Sequence, residues 1–351
     1  MATGPRKIAA TAAFGLLGIA ATLASRRARS HTRLLAGKVV FITGGSRGLG
    51  LALAEDFVRA GARVAISARD TDTLAEAERR LAGLALSGRS AVTAVRCDVT
   101  DPSTVESAVA DASRTLGPID ILVNNAGIIA VAPLANQSVR RFEEAMNTHL
   151  YGPLHTTQAV LPEMLRRGTG IIVNIASIGG LIAVPHLLPY TASKFALVGF
   201  SRGLHAELRS KGIHVLTVCP WLMRTGSHLH AKFGGRQDHE FGWFGVGATL
   251  PGLAVPAHKA AREIVRAILD RKSELLISPW ATATAAFAHL APSLTNAVLA
   301  QVNRILPEAD PLHGDQQMEG KEAHGVGTII PDALGSRPAE AWNQGSRSQA
   351  S

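Results

Sequence analysis

From Gly37 onward the chain alternates short runs rich in Val, Ile and Leu with stretches whose apolar residues recur about every 3.6 positions. Strands apolar on both faces, separated by amphipathic helices, are the pattern of a parallel sheet covered on both sides. The spacing predicts seven strands: Val39 to Thr43, Arg63 to Ser67, Val92 to Cys97, Ile121 to Asn124, Ile171 to Ile175, His214 to Val218 and Leu275 to Ser278. Helices are predicted between them at Gly48 to Ala60, Thr73 to Ala85, Pro102 to Leu116, Ser138 to Arg166, Thr191 to Ser210 and Ala257 to Arg271. The third opens with Asp101 as cap and Pro102 at the first helical position. The fold class is therefore α/β, a doubly wound parallel seven-stranded sheet in one domain over residues 37–279.

The two ends depart from this pattern. Residues 1–36 hold 18 uncharged residues, Ile8 to Ser25, between Lys7 and Arg26. As a helix they would span about 27 Å against a hydrocarbon core of about 30 Å. The run reads as a membrane anchor, with the basic flank keeping the rest of the chain on the cytoplasmic side; a signal peptide and a soluble or interfacial helix are the alternatives. Residues 280–306 form a second apolar stretch, either a helical cover packed on the domain, the first choice, or a second membrane-contacting element. Residues 307–351 read as a disordered polar tail.

Composition adds exclusions. With 46% hydrophobic and 18% charged residues, the 351-residue chain is too apolar to be disordered. Six of its nine net positive charges lie in the first 33 residues, so the body carries no basic surface for a nucleic acid. Cys97 and Cys219 sit singly in apolar runs, which excludes a disulfide framework and a cysteine zinc site. His228 and His230 lack companion ligands, and no metal is expected.

Candidate chemistry begins where the first strand ends, at Thr43-Gly44-Gly45-Ser46-Arg47-Gly48-Leu49-Gly50. Strand, glycine turn and helix in that order let backbone approach a pyrophosphate, with the free N–H groups of the helix start aimed at it. That makes the sandwich a Rossmann-type fold. The second strand ends Ser67-Ala68-Arg69, with Ala68 where an acid would bind a ribose 2′-hydroxyl. Arg47 and Arg69 favour a 2′-phosphate, hence NADP(H) rather than NAD(H), although Asp70 and Asp72 lie close.

Tyr190 and Lys194 stand four apart on one face of a predicted helix, so an ammonium beside the ring and a helix start both favour the phenolate. Alone the pair reads as a surface tyrosine and lysine. Together with TGGSRGLG at 43–50, Asp98 after the third strand, Asn124-Asn125-Ala126-Gly127 after the fourth, Ser177 after the fifth and YTASK at 190–194, the chain resembles the single-domain branch of the short-chain dehydrogenases/reductases over about residues 37–278.

The resemblance implies that Tyr190 moves the proton on the reacting oxygen, Lys194 holds ribose hydroxyls, and Ser177 hydrogen-bonds that oxygen. It also implies cofactor contacts from Gly44, Ser46, Arg47, Gly48, Leu49, Gly50, Arg69, Asp98, Val99, Asn125, Ala126, Gly127, Tyr190, Lys194, Pro220 and Thr225. A homodimer or homotetramer, paired through the two long helices, is a further expectation from the resemblance. Two positions depart from it. His149 stands where the family places an asparagine in a proton relay, and either continues that relay through its imidazole or merely packs. Trp221 follows Pro220 where glycine is usual.

On the substrate side, five of the 16 aromatic residues, Trp221, Phe233, Phe241, Trp243 and Phe244, fall within 24 positions. With their glycines they suit a mobile apolar cover over a lipophilic carbonyl or alcohol of steroid, retinoid or fatty acyl type; anchoring of the loop to the core or to lipid is the alternative. The sequence thus points to a membrane-associated NADP(H)-dependent oxidoreductase, with a soluble cytoplasmic location as the alternative. A non-catalytic dinucleotide-binding scaffold is the competing function.

Overall fold

The computed structural model describes residues 34–85, 91–322 and 338–343. The uncharged run at 8–25 lies outside them, and among the described residues no helix is long and apolar enough to cross a membrane. The main sheet consists of β1 (Val39–Thr43), β2 (Arg63–Ala68), β3 (Val92–Arg96), β4 (Ile121–Asn124), β5 (Gly170–Ile175), β6 (Ile213–Pro220) and β7 (Glu274–Ile277). All are parallel, in the order β7-β6-β5-β4-β1-β2-β3. The order in which strands are added reverses between β1 and β4, and such a switch point opens a crevice at the carboxyl ends of the strands.

Both faces are covered, as the apolar strands require. α1 (Gly48–Arg59), α2 (Thr71–Ala82) and α8 (Ala257–Leu269) bury Leu53, Leu81 and Ile264 against one face. α3 (Pro102–Leu116) and α5 (Gly152–Arg167) bury Val105 and Met164 against the other. Asp101 caps α3 by accepting from Ser103 N at 2.9 Å. α2 starts two residues ahead of its predicted first turn because Asp70 caps it, accepting from Thr73 N at 2.8 Å.

The helix predicted from Ser138 to Arg166 is divided. α4 (Val139–Met146) passes into a π turn at Asn147–Tyr151 before α5 begins. Pro153 has no N–H for the carbonyl four residues before it, so the ladder shifts and Gly152 N donates to Asn147 O instead.

Residues 280–306 fold as α9 (Pro279–Leu290) and α10 (Pro292–Asn303); Ala281, Ala285 and Ala288 of α9 pack on the domain, while Leu294, Val298 and Val302 of α10 stay exposed. One expectation for the C-terminal part is corrected. The polar stretch beginning at residue 307 is ordered through 322. Asn136 holds it by donating to the carbonyls of Asp310 (2.7 Å) and Gly314 (2.8 Å), and Arg141 donates to the Asp315 carboxylate at 3.0 Å. Its residues Gln317–Glu319 then pair antiparallel with Lys232–Gly234, which pairs in turn with Ala130–Val131. Composition hid this, because the order comes from hydrogen bonds to residues about 174 positions away.

Candidate active site

Where β1 ends, Thr43 ties the glycine turn to the segment after β4. Its Oγ1 accepts from Asn125 N (3.0 Å) and Ala126 N (3.1 Å), while Asn125 Nδ2 donates to the carbonyls of Thr43 and Gly44, at 3.0 Å each. A Cβ on Gly50 would collide with the Gly44 carbonyl, which is why the turn and α1 can approach so closely. Asn124 joins a buried chain of side-chain hydrogen bonds: Thr156 to Asn124 (2.6 Å), Asn124 to Asn174 (2.9 Å), Asn174 to Ser201 (2.9 Å) and Thr217 to Ser201 (2.7 Å). This chain fixes the carboxyl ends of β4, β5 and β6 relative to one another.

The crevice has a volume of about 300 Å³. Its walls carry Gly44, Ser46, Arg47, Gly48, Leu49, Arg69, Asp98, Val99, Asn125, Ala126, Gly127, His149, Tyr190, Lys194 and Thr225. Gly50, Ser177 and Pro220 do not line it. Asp70 lines it as well, and so do Thr73, Ile128, Met223 and Ser227, which had no sequence signal. The residues fit a dinucleotide: Arg47 and Arg69 follow β1 and β2, Lys194 stands by the end of β5, and the start of α1 faces the crevice, its Gly48 N donating to Trp342 O.

Lys194 is buried in α6 (Leu188–Leu208), donates from Nζ to Ile175 O at 2.8 Å, and lies 5.7 Å from the centre of the Tyr190 ring. Burial pulls its pKa down to about 7. Burial also pushes the Tyr190 hydroxyl above its ordinary value, opposed by its hydrogen bond with Ser177. Desolvation therefore outweighs the attraction expected from sequence, so Tyr190 stays protonated and Lys194 titrates near neutral pH. Ser177 Oγ accepts from Gly179 N at 3.1 Å, and a Cβ on Gly179 would stand 3.2 Å from the Tyr190 ring.

His149 is fixed at both nitrogens. Nε2 accepts from Ile128 N (3.1 Å), and Nδ1 faces Ser193 Oγ (2.7 Å), whose hydroxyl donates to the Tyr190 carbonyl (2.8 Å). With Nε2 accepting, the proton sits on Nδ1 and the ring is neutral; burial and the nearby Lys194 charge hold its pKa well below the usual value. Both ring nitrogens are engaged, and the imidazole ties the segment after β4 to the start of α6. Ser193, inside the YTASK motif, is the partner sequence reasoning passed over.

The aromatic-rich segment is held by buried contacts. Phe233 and Phe241 are fully buried with ring centres 5.4 Å apart, and α7 (Gln237–Thr249) carries Phe241 and Phe244 inward. The fully buried Glu240 accepts from Trp243 Nε1 (2.7 Å) and meets His186 Nδ1 (2.7 Å), holding the loop that leads into Tyr190. His186 there takes a positive φ of 61°. Trp221 packs with Ile178, Ile182 and Ala281.

The C-terminal residues reach the glycine turn, which no sequence signal announced. Gly48 N donates to Trp342 O (2.8 Å), Asn343 Nδ2 to Ser46 O (3.3 Å) and Arg80 to Ala341 O (2.7 Å), with the Arg80 guanidinium 5.4 Å from the Trp342 ring centre. Arg47 feels Glu319 as well as Arg69 and Asp70, and burial lowers its pKa.

Comparison with known proteins agrees with this geometry. The family model described as short chain dehydrogenase matches residues 38–232. A Drosophila melanogaster protein named dehydrogenase/reductase SDR family protein 7-like is 33% identical over 269 residues, covering 76% of this chain and 81% of that one. Gluconate 5-dehydrogenase of Gluconobacter oxydans is 38% identical over 198 residues, covering 56% and 76%. A Burkholderia phymatum short chain dehydrogenase/reductase, solved in complex with NAD, superposes with a TM-score of 0.66 at 27% identity, covering 73% of this chain and 94% of that one.

Proposed function

Because the chain belongs to the short-chain dehydrogenase family, we propose that it is an NADP(H)-dependent oxidoreductase acting on a lipophilic carbonyl or alcohol. The observation that carries the reading is that Tyr190 stands beside Ser177, with the buried Lys194 Nζ 5.7 Å from its ring centre and bonded to Ile175 O at the end of β5. The cofactor, when bound, supplies or accepts the hydride. Ser177 and Tyr190 hold the carbonyl oxygen, and in reduction Tyr190 donates its proton to that oxygen. The raised pKa keeps that proton in place at neutral pH. Lys194 is placed to hold ribose hydroxyls; a hydrogen-bond partner there restores part of the solvation that burial removes from its ammonium.

NADP(H) over NAD(H) is supported by Arg47 and Arg69 at the crevice end and by Ala68 closing β2. The apolar Ile128, Ile129 and Met223 in the crevice wall, with the Phe233, Phe241 and Phe244 cluster packed beside Ile129 and Tyr190, support a lipophilic substrate. The uncharged N-terminal run supports membrane association with the catalytic domain on the cytoplasmic side, and the α4–α5 and α6 surfaces are the proposed subunit interface.

The test is oxidation of NADPH, and separately NADH, against lipophilic ketones and aldehydes, with Tyr190→Phe alongside. The expected result is faster turnover with NADPH, reduced about 10²–10⁴-fold in the variant with NADPH binding intact. NADPH binding without turnover across the panel in either protein would make the chain a binding scaffold.

A further inference from the structure

Between Glu274 and Arg304 the chain runs 29 residues without a charged Asp, Glu, Lys or Arg. Most of that run is α9 and α10, and the side chains that soluble proteins hide are turned outward: Leu290 is 83% exposed, Trp280 58%, Leu294 54%, and Ile305 just beyond is 83% exposed. Leu294, Val298 and Val302 recur at every fourth position, so they form one stripe along α10. A contiguous exposed apolar surface of this kind marks an interaction site.

We propose that the α9–α10 hairpin is a lipid-docking surface that lays the mouth of the substrate site against a membrane. Three observations choose lipid as the occupant. Each helix has 12 residues, about 18 Å long, and Pro292 separates them, so neither can span a core of about 30 Å; the hairpin suits lying in the interface. Trp280 stands at its start and Arg304 directly follows its end, an aromatic ring and a guanidinium suited to the headgroup layer. Finally, 33 residues precede the described fold, and they carry an 18-residue uncharged run with basic flanks and no acid. Stable attachment to a bilayer takes two weak signals, and the same chain then supplies both.

The inner side of the hairpin gives the docking a purpose. Ala281, Ala285 and Ala288 pack on Ile178, Ile182 and Trp221, the segments that directly follow Ser177 and Pro220. α9 leaves the carboxyl end of β7, the same end of the sheet at which the crevice opens. A lipid-borne substrate would therefore meet the rim of the site without crossing water. The purpose given to the docking rests on the function proposed above, whereas the docking itself stands or falls independently of cofactor choice.

The test uses the full chain with vesicles of dioleoylphosphatidylcholine and dioleoylphosphatidylserine, with or without chain-brominated phosphatidylcholine. Brominated lipid should quench tryptophan emission, and most of that quenching should vanish in Trp280→Phe. A Leu290→Gln/Leu294→Gln/Ile305→Gln variant should float with vesicles several-fold less while binding dinucleotide as the parent does, since these side chains are exposed. Flotation of the parent without Trp280 quenching would overturn the proposal and leave the N-terminal run as the only attachment. No flotation at all would also overturn it. So would a lipid-insensitive dimer that the triple variant dissociates, which would assign this face to a second copy of the chain.

Discussion

The cofactor half and the substrate half of this molecule are assembled in different ways. Residues 37–127 build the cofactor half from one stretch of chain, β1, β2 and β3 pairing in succession and β4 returning beside β1, and Thr43 and Asn125 then lock the two turns. The substrate half draws on separate stretches, joined by a small sheet of Ala130–Val131, Lys232–Gly234 and Gln317–Glu319. A fold built from neighbours leaves its periodicity in the sequence. A cover built from distant pieces leaves only a scatter of aromatic residues, and its stiffness depends on contacts that no local pattern announces.

If the halves are separable, damage to one should spare the other. Phe241→Ala removes a fully buried ring from the cover and should cost about 3–5 kcal/mol of stability there. Its signature should be a raised substrate KM and faster proteolysis within residues 226–256, with dinucleotide affinity retained; loss of both would join the halves into one cooperative unit.

Lys194→Met sharpens the comparison through pH. The lysine is charged in the unfolded chain below about 10.5, but its folded pKa is about 7. Burial therefore costs nothing above the unfolded value, grows as pH falls through that window, and is constant below the folded value. The variant should lose turnover, yet in the cofactor-free state its melting temperature should exceed the parent's by more at pH 6 than at pH 11. Equal shifts at both pH values would deny the desolvation argument.

Arg141→Ala should release the C-terminal extension, since the nearly buried guanidinium holds Asp315 and Glu144. A loss of about 2 kcal/mol is expected. Hydrogen exchange should rise first at residues 307–322 and at Lys232–Gly234, with β1 and β2 unaffected. The smallest effect belongs to Trp342→Ala, which removes the ring from the Arg80 guanidinium while leaving the core sheet alone. An exposed cation–π contact is worth about 0.5–1 kcal/mol, so NADPH affinity should weaken about two- to fivefold if the segment braces the glycine turn. Unchanged binding would make it an ornament of the surface.

The seven strands, the glycine turn, Ser177, Tyr190 and Lys194 were legible because each is specified locally. Strand burial writes itself as apolar runs, and the turn and the YTASK helix need particular residues at fixed spacing. The break in the long helix was legible only in hindsight, through Pro153. The role of His149 was not, because it depends on Ile128 and on Ser193, 44 residues away, meeting the ring at both nitrogens. Glu240 likewise looked like an ordinary surface acid until Trp243 and His186 closed around it.

By itself, the sequence determined the fold, the crevice and the placing of Tyr190 and Lys194 on one helix face, since these arise from local periodicity, turn stereochemistry and residue identity. Tertiary structure decided which charges survive in the crevice, how the cover is held, and that the α9–α10 hairpin faces outward. Those depend on what each side chain finds beside it after folding. Desolvation, paired hydrogen bonds and exposure are properties of neighbourhoods, and composition cannot encode a neighbourhood assembled from residues far apart in the chain.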